Sequence, residues 1–179
     1  MTEETTTIRL DDRAGRRARE VRVTPTGDAL TALAARVGAD AVRKVSFAGR
    51  LEPEGAADWR LSAHLGATVV QPCVVTLSPV TTRIETDVTR RYVEGYELPD
   101  DAGEYEMPED DTTEPRPATL DLMDVLAEAL SLAMPDFPKA EGAELADAQF
   151  TEPGRRAMTD DDAKPLAGLR DLLKGGGAE

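Results

Sequence analysis

The chain has 179 residues, 40% of them hydrophobic but only 4% aromatic, so one aliphatic core built mainly from Leu, Val and Ala is expected. No apolar run approaches the ~20 residues that span a bilayer, the N-terminus MTEETTTIRL is polar, and the single cysteine, Cys73, excludes an intrachain disulfide, so a reduced, cytoplasmic setting is expected. The formal charge of −14 is concentrated in residues 97–162, where twenty acids stand against four bases for a net of −16; that half disfavours a nucleic-acid footprint and suits a basic protein partner.

Residues 1–24 mix six arginines with five acids, and the alternation Val21, Arg22, Val23 predicts a short strand that joins a sheet. Asp28 then precedes Ala29, Leu30, Leu33, Ala34 and Val37 at helical spacing, with Asp28 as N-cap and Gly38 as the stop of a short amphipathic helix. From Val42 the period becomes two. Val45, Phe47 and Leu51 predict a strand, Glu52 to Gly55 a turn, and Trp59, Leu61, Ala63 and Leu65 a half-buried strand that Gly66 interrupts.

Residues 67–77 are nearly continuous apolar sequence and predict a central strand, bulged or at an edge near Pro72, which cannot donate to a ladder. Ser78-Pro79 supplies a turn into a long strand with Val80, Ile84, Val88 and Tyr92 on one face and Arg83, Glu85, Asp87 and Arg91 on the other. The connections are too short for parallel crossovers, which makes the sheet an antiparallel meander.

Residues 97–117 form an acidic, Pro- and Gly-rich loop, after which Thr119 caps a largely buried helix whose stripe includes Leu122, Val125, Leu126, Ala129 and Ala133. Pro135 ends it, and Leu166, Leu169, Leu172 and Leu173 predict a short C-terminal helix before a Gly-rich tail. The expected class is α+β: an antiparallel meander of four or five strands, a short N-terminal helix, a buried helix after the acidic loop, and a C-terminal helix. The expected organisation is an N-terminal segment 1–24, a core 25–138 containing loop 97–117, and a polar segment with a C-terminal helix and flexible tail at 139–179.

Three blocks, QPCVVTLSPVTTRI, LDLMDVLAEALSLAMPDFP and KPLAGLRDLL, with the acidic loop between the first two, resemble in content and order the YceD family. The matching positions are Cys73, Pro79, Asp121, Leu122, Glu128, Leu132, Ala133 and Pro135. The resemblance implies a role in synthesis, processing or stable accumulation of large-subunit ribosomal RNA, with no catalytic residue to transfer. Many relatives carry Cys-x-x-Cys where this chain has Cys73-Val74-Val75-Thr76, and one cysteine with one histidine cannot supply the four ligands of a structural zinc site.

No metal, cofactor or catalytic residue is therefore expected. His64 lies on the polar side of its strand without an evident partner for acid/base work, and Cys73 reads as an inert core thiol. Residues 104–114 lack the order of a calcium loop and read as a hydrated surface. Arg83, Arg90, Arg91 and Arg60, with Arg43 and Lys44 beside them and Tyr92 as a stacking ring, are the candidates for RNA or partner contact, to be weighed against cross-strand ion pairing.

The expected function is that of a non-catalytic factor acting in ribosome biogenesis through large-subunit ribosomal RNA or a basic ribosomal protein. The alternatives are a general interaction module unrelated to ribosomes and a carboxylate-dependent hydrolase. Strand order and oligomeric state are open at this level.

Overall fold

The structure is a computed structural model that describes residues 6–11, 15–96, 112–144, 151–156 and 158. By contact the chain divides into two units, residues 1–141 and 142–179. All helices and strands below belong to the first; the described residues of the second contain neither. The C-terminal helix expected around Leu166 to Leu173 and the acidic segment 97–111 lie outside the described residues.

The main sheet runs β2-β3-β4-β5-β6, with β2 at Arg19–Val23, β3 at Ala41–Glu54, β4 at Asp58–Pro72, β5 at Pro79–Val93 and β6 at Thr113–Pro115. The first four strands form the antiparallel meander, and β6 adds in parallel to residues 91–93 of β5. A second, two-stranded sheet joins β1, Thr7–Arg9, to β7, Thr119–Asp121, with Ile8 opposite Leu120.

Period-two alternation divides the main sheet into an apolar and a polar face. Val21, Val23, Phe47, Leu51, Trp59, Leu61, Leu65, Val69, Ile84, Val88 and Tyr92 are buried. Against them pack α1, Asp28–Val37, through Leu33 and Ala34, and α2, Leu122–Ala133, through Leu122, Val125, Leu126, Ala129 and Leu130. Full burial of each large aliphatic side chain contributes roughly 1.5–3 kcal/mol.

Several local expectations change. β4 continues through Gly66, and the side-chain ends of Arg83 and Glu85 lie over it: a Cβ there would sit 2.7 Å from Arg83 Nη2 and 2.8 Å from Glu85 Oε2. β4 ends at Pro72, and residues 73–78 form a turn rather than a central strand, closed by Cys73 N–H on the Ser78 carbonyl (2.7 Å) and Leu77 N–H on the Cys73 carbonyl (2.9 Å). Proline's missing donor therefore falls at a strand end.

The caps move by a residue or two. α1 begins at Asp28 after a Gly27 N-cap with no side-chain bond, while Gly38 ends it in the left-handed conformation at φ 72°. α2 is capped by Asp121, whose Oδ1 accepts from Met123 N–H at 2.8 Å, because Thr119 is taken into β7. Met134, extended before Pro135, ends α2.

Candidate partner interface

The polar face of the main sheet carries Arg43 and Arg50 of β3, Arg60 of β4, and Arg83 and Arg91 of β5, and Arg50, Arg60, Arg83 and Arg91 each pair with a carboxylate of the sheet. Glu54 takes both Arg60 and Arg91, the latter at 3.1 Å. Glu85 takes Arg83 at 2.6 Å, and Arg83 also donates to the Lys44 carbonyl at 3.1 Å. Arg50 pairs with Glu52 at 3.0 Å. Arg91 and then Arg60 hold the Glu54 carboxyl below its ordinary range.

His64 sits at the centre of this face. Its Nδ1 lies 2.7 Å from Asp87 Oδ1 and its Nε2 2.9 Å from Glu85 Oε2, both across the β4–β5 pairing. Asp87 first, then Glu85, raises the histidine pKa above 6.5; His64 and then Arg83 lower that of Glu85. Two carboxylates flanking an imidazole favour the imidazolium, and with Arg83 the four groups come close to neutrality. The partners that sequence alone did not identify for His64 are thus found on the next strand, one residue either side of Thr86.

Arg90 does not share this face. It points to the side of the helices, 15% exposed, and donates to Glu114 on β6 (2.8 Å) and Glu128 on α2 (2.8 Å). Burial raises the Glu114 pKa against the pull of Arg90. Tyr92 is buried beside them, its hydroxyl without a hydrogen-bond partner among the described residues and its pKa raised by burial, so it is not placed to stack on a base. Arg60, Arg83 and Arg91 form one surface; Arg90 joins three elements.

Arg43 and Lys44 occupy a β-bulge between Arg43 and Ser46, with Lys44 at φ 50°. Both side chains are exposed, and among the described residues no carboxylate pairs with either. Arg22 of β2, exposed between buried Val21 and Val23, likewise has no described carboxylate partner.

Five other motif positions make contacts that hold the fold together. Asp121 caps α2, Leu122 is buried under it, Glu128 anchors Arg90, Pro79 opens β5 opposite Pro72, and the Pro135 carbonyl accepts from Gln71 Nε2 at 3.2 Å. Cys73 is fully buried, yet its sulfur accepts backbone N–H groups from Ala140 (3.3 Å), Val75 (3.4 Å) and Thr76 (3.5 Å). These donors, Ala140 foremost, bring the thiol down to about 6 against the opposing effect of burial. Among the described residues no cluster of His, Cys, Asp and Glu has the arrangement of a metal site, and no helix is long and apolar enough to cross a membrane.

No curated protein and no solved structure matches the chain. A protein-family model does match, over residues 61–173, spanning most of β4, the Cys73 turn, β5 and α2 as well as the C-terminal motif. The chain belongs to the YceD family, described as large ribosomal RNA subunit accumulation protein YceD.

Proposed function

We propose that the protein is a non-catalytic factor that supports accumulation of large-subunit ribosomal RNA, and that it acts by contact with a basic ribosomal protein. The family description supplies the ribosomal link. The observation that carries the choice of partner is the pairing of Arg60, Arg83 and Arg91 with Glu54 and Glu85, which leaves those guanidinium groups engaged with carboxylates. Phosphate would have to displace them, and would approach a chain of net charge −14. A basic protein meets the opposite field and gains in on-rate from it.

The test is affinity purification of the tagged full chain from its own cells at low and at moderate salt, with proteomics and RNA sequencing of the eluates. Large-subunit proteins retained after nuclease treatment support the proposal. Large-subunit RNA retained without them, and lost with rising salt, would overturn it in favour of direct phosphate contact through Arg43 and Lys44. Absence of any ribosomal enrichment over a mock control would replace it with an interaction module of another kind.

A further inference from the structure

β6 covers the outer margin of β5 only at residues 91–93, and among the described residues nothing pairs with residues 80–90 on that side. Two bonds at the covered end set the direction of the backbone groups. Arg91 N–H donates outward to the Thr112 carbonyl at 2.8 Å, and the Val93 carbonyl accepts from Arg116 N–H at 3.0 Å. Strand alternation then turns the N–H and C=O of Thr81, Arg83, Glu85, Asp87 and Thr89 outward as well. Arg90 Nη1 covers the Thr89 carbonyl at 3.3 Å, which leaves residues 81–87 as an open run of donors and acceptors.

An exposed edge of this kind is a template for another strand unless it is blunted. The opposite margin is blunted: β2 covers residues 47–51 of β3, and the remainder carries the bulge at Arg43 to Ser46. β5 has no bulge, keeping unbroken register with β4 from Tyr92 to Pro79, and has neither Pro nor Lys at 80–90. Beside its open edge lies a groove of about 330 Å³ whose apolar wall is Val88, Ala129, Leu132 and Ala133; Leu132 is 75% exposed.

We infer that this edge pairs antiparallel with the same edge of a second copy of the chain, on a two-fold axis through Ile84. Outward-facing residues must oppose outward-facing residues, so the axis can fall on a residue from 81 to 87, and charge selects among the choices. An axis at Arg83 sets Arg83 against itself, and one at Glu85 sets Glu85 against itself, each a destabilising like pair. An axis at Thr86 opposes Glu85 to Asp87. At Ile84, Arg83 of each copy faces Glu85 of the other, and Thr81 faces Asp87.

The pairs that Arg83 and Glu85 already form within each chain, at 2.6 Å, then join into a ring of four charges. On the apolar side the same register sets Val80 of one copy against Val88 of the other, over the groove walled by Ala129, Leu132 and Ala133. One alignment thus satisfies the backbone, the charges and the groove together. The net charge of −14 on each chain opposes association, which makes the dimer reversible and concentration-dependent.

The experiment is sedimentation equilibrium of the full chain from about 1 µM to about 1 mM. The average mass is expected to rise from 19.3 kDa toward twice that value. Arg83→Glu and Glu85→Arg each place like charges opposite one another at two symmetric positions, and each is expected to weaken the dimer on the order of tenfold. Mixing the two variants restores every opposite pair, so a heterodimer at least as tight as the wild type is expected. Leu132→Asp, an exposed helix position, is expected to weaken dimerisation with circular dichroism unchanged.

A chain that stays monomeric up to about 1 mM overturns the inference. So does a dimer indifferent to Arg83→Glu, Glu85→Arg and Leu132→Asp, which would use another surface. Binding of a foreign extended peptide to this edge without self-association would overturn the choice of occupant.

Discussion

Arg90 Nη2 donates to Glu128 Oε1 at 2.8 Å and so fastens the middle of α2 to β5. The same guanidinium reaches Glu114 of β6 through Nε, so one side chain ties the helix, the long strand and the parallel edge strand together. With Arg90 15% exposed, Arg90→Ala leaves a half-buried Glu114 without its counter-charge. A loss of about 2 kcal/mol is expected in urea unfolding, against less than about 1 kcal/mol for Glu128→Ala, whose carboxylate is mostly in solvent.

Tyr92 provides the converse case. Its ring fills the core under β5, but its hydroxyl is buried with no partner among the described residues. Tyr92→Phe removes a desolvated polar group and keeps the ring, so equal or greater stability is expected, with a gain of up to ~1 kcal/mol in the same unfolding assay. A loss of stability would mean that the hydroxyl is satisfied.

His64 titrates within the sheet's polar face, and Asp87 and Glu85 raise its folded pKa above the ordinary 6.5. The native state therefore binds the proton more tightly than the unfolded chain does. The stabilisation is complete below pH 6.5 and is lost as pH rises through the folded value. An NMR titration of the single histidine is expected to show a midpoint above 6.5, lowered by Asp87→Asn, while the unfolding advantage of wild type over His64→Gln shrinks at higher pH.

Gly49 of β3 lies directly against the backbone of β4. A Cβ there would lie 2.2 Å from the Ser62 carbonyl oxygen and 2.4 Å from Ala63 Cα, both backbone atoms that cannot swing aside. Gly49→Ala is expected to cost about 3 kcal/mol or more, read as a fall in urea midpoint or loss of soluble protein. Gly55→Ala, at φ 53° with open space around it, is expected to cost only about 1 kcal/mol.

Much of this architecture is legible in residue periodicity. The alternation from Trp59 to Leu65 and the stripe from Leu122 to Ala133 each encode a buried face directly. β1, β6 and β7 are three residues each, too short to carry a period, and they exist because other strands and a helix lie beside them. Residues 67–77 look uniformly apolar, yet the chain turns at Cys73, where backbone N–H groups converge on sulfur in a way that no hydropathy pattern records.

The site is legible to a similar degree. Period two alone requires the adjacent Arg90 and Arg91 to face opposite sides of β5, so the two do not form one surface. The partners of His64, by contrast, depend on the register that sets His64 against Asp87, which is fixed only when β4 and β5 pair.

The ribosomal role is tested most directly by depleting the protein in its own cells and measuring mature large-subunit ribosomal RNA against small-subunit RNA. A selective fall in the large-subunit species is expected, restored by the wild-type chain and also by a variant with Arg60, Arg83 and Arg91 all changed to Gln, because these side chains are assigned to ion pairing within the sheet. An unchanged ratio on depletion would contradict the role itself, and failure of the triple variant despite normal folding would contradict the assignment of those arginines.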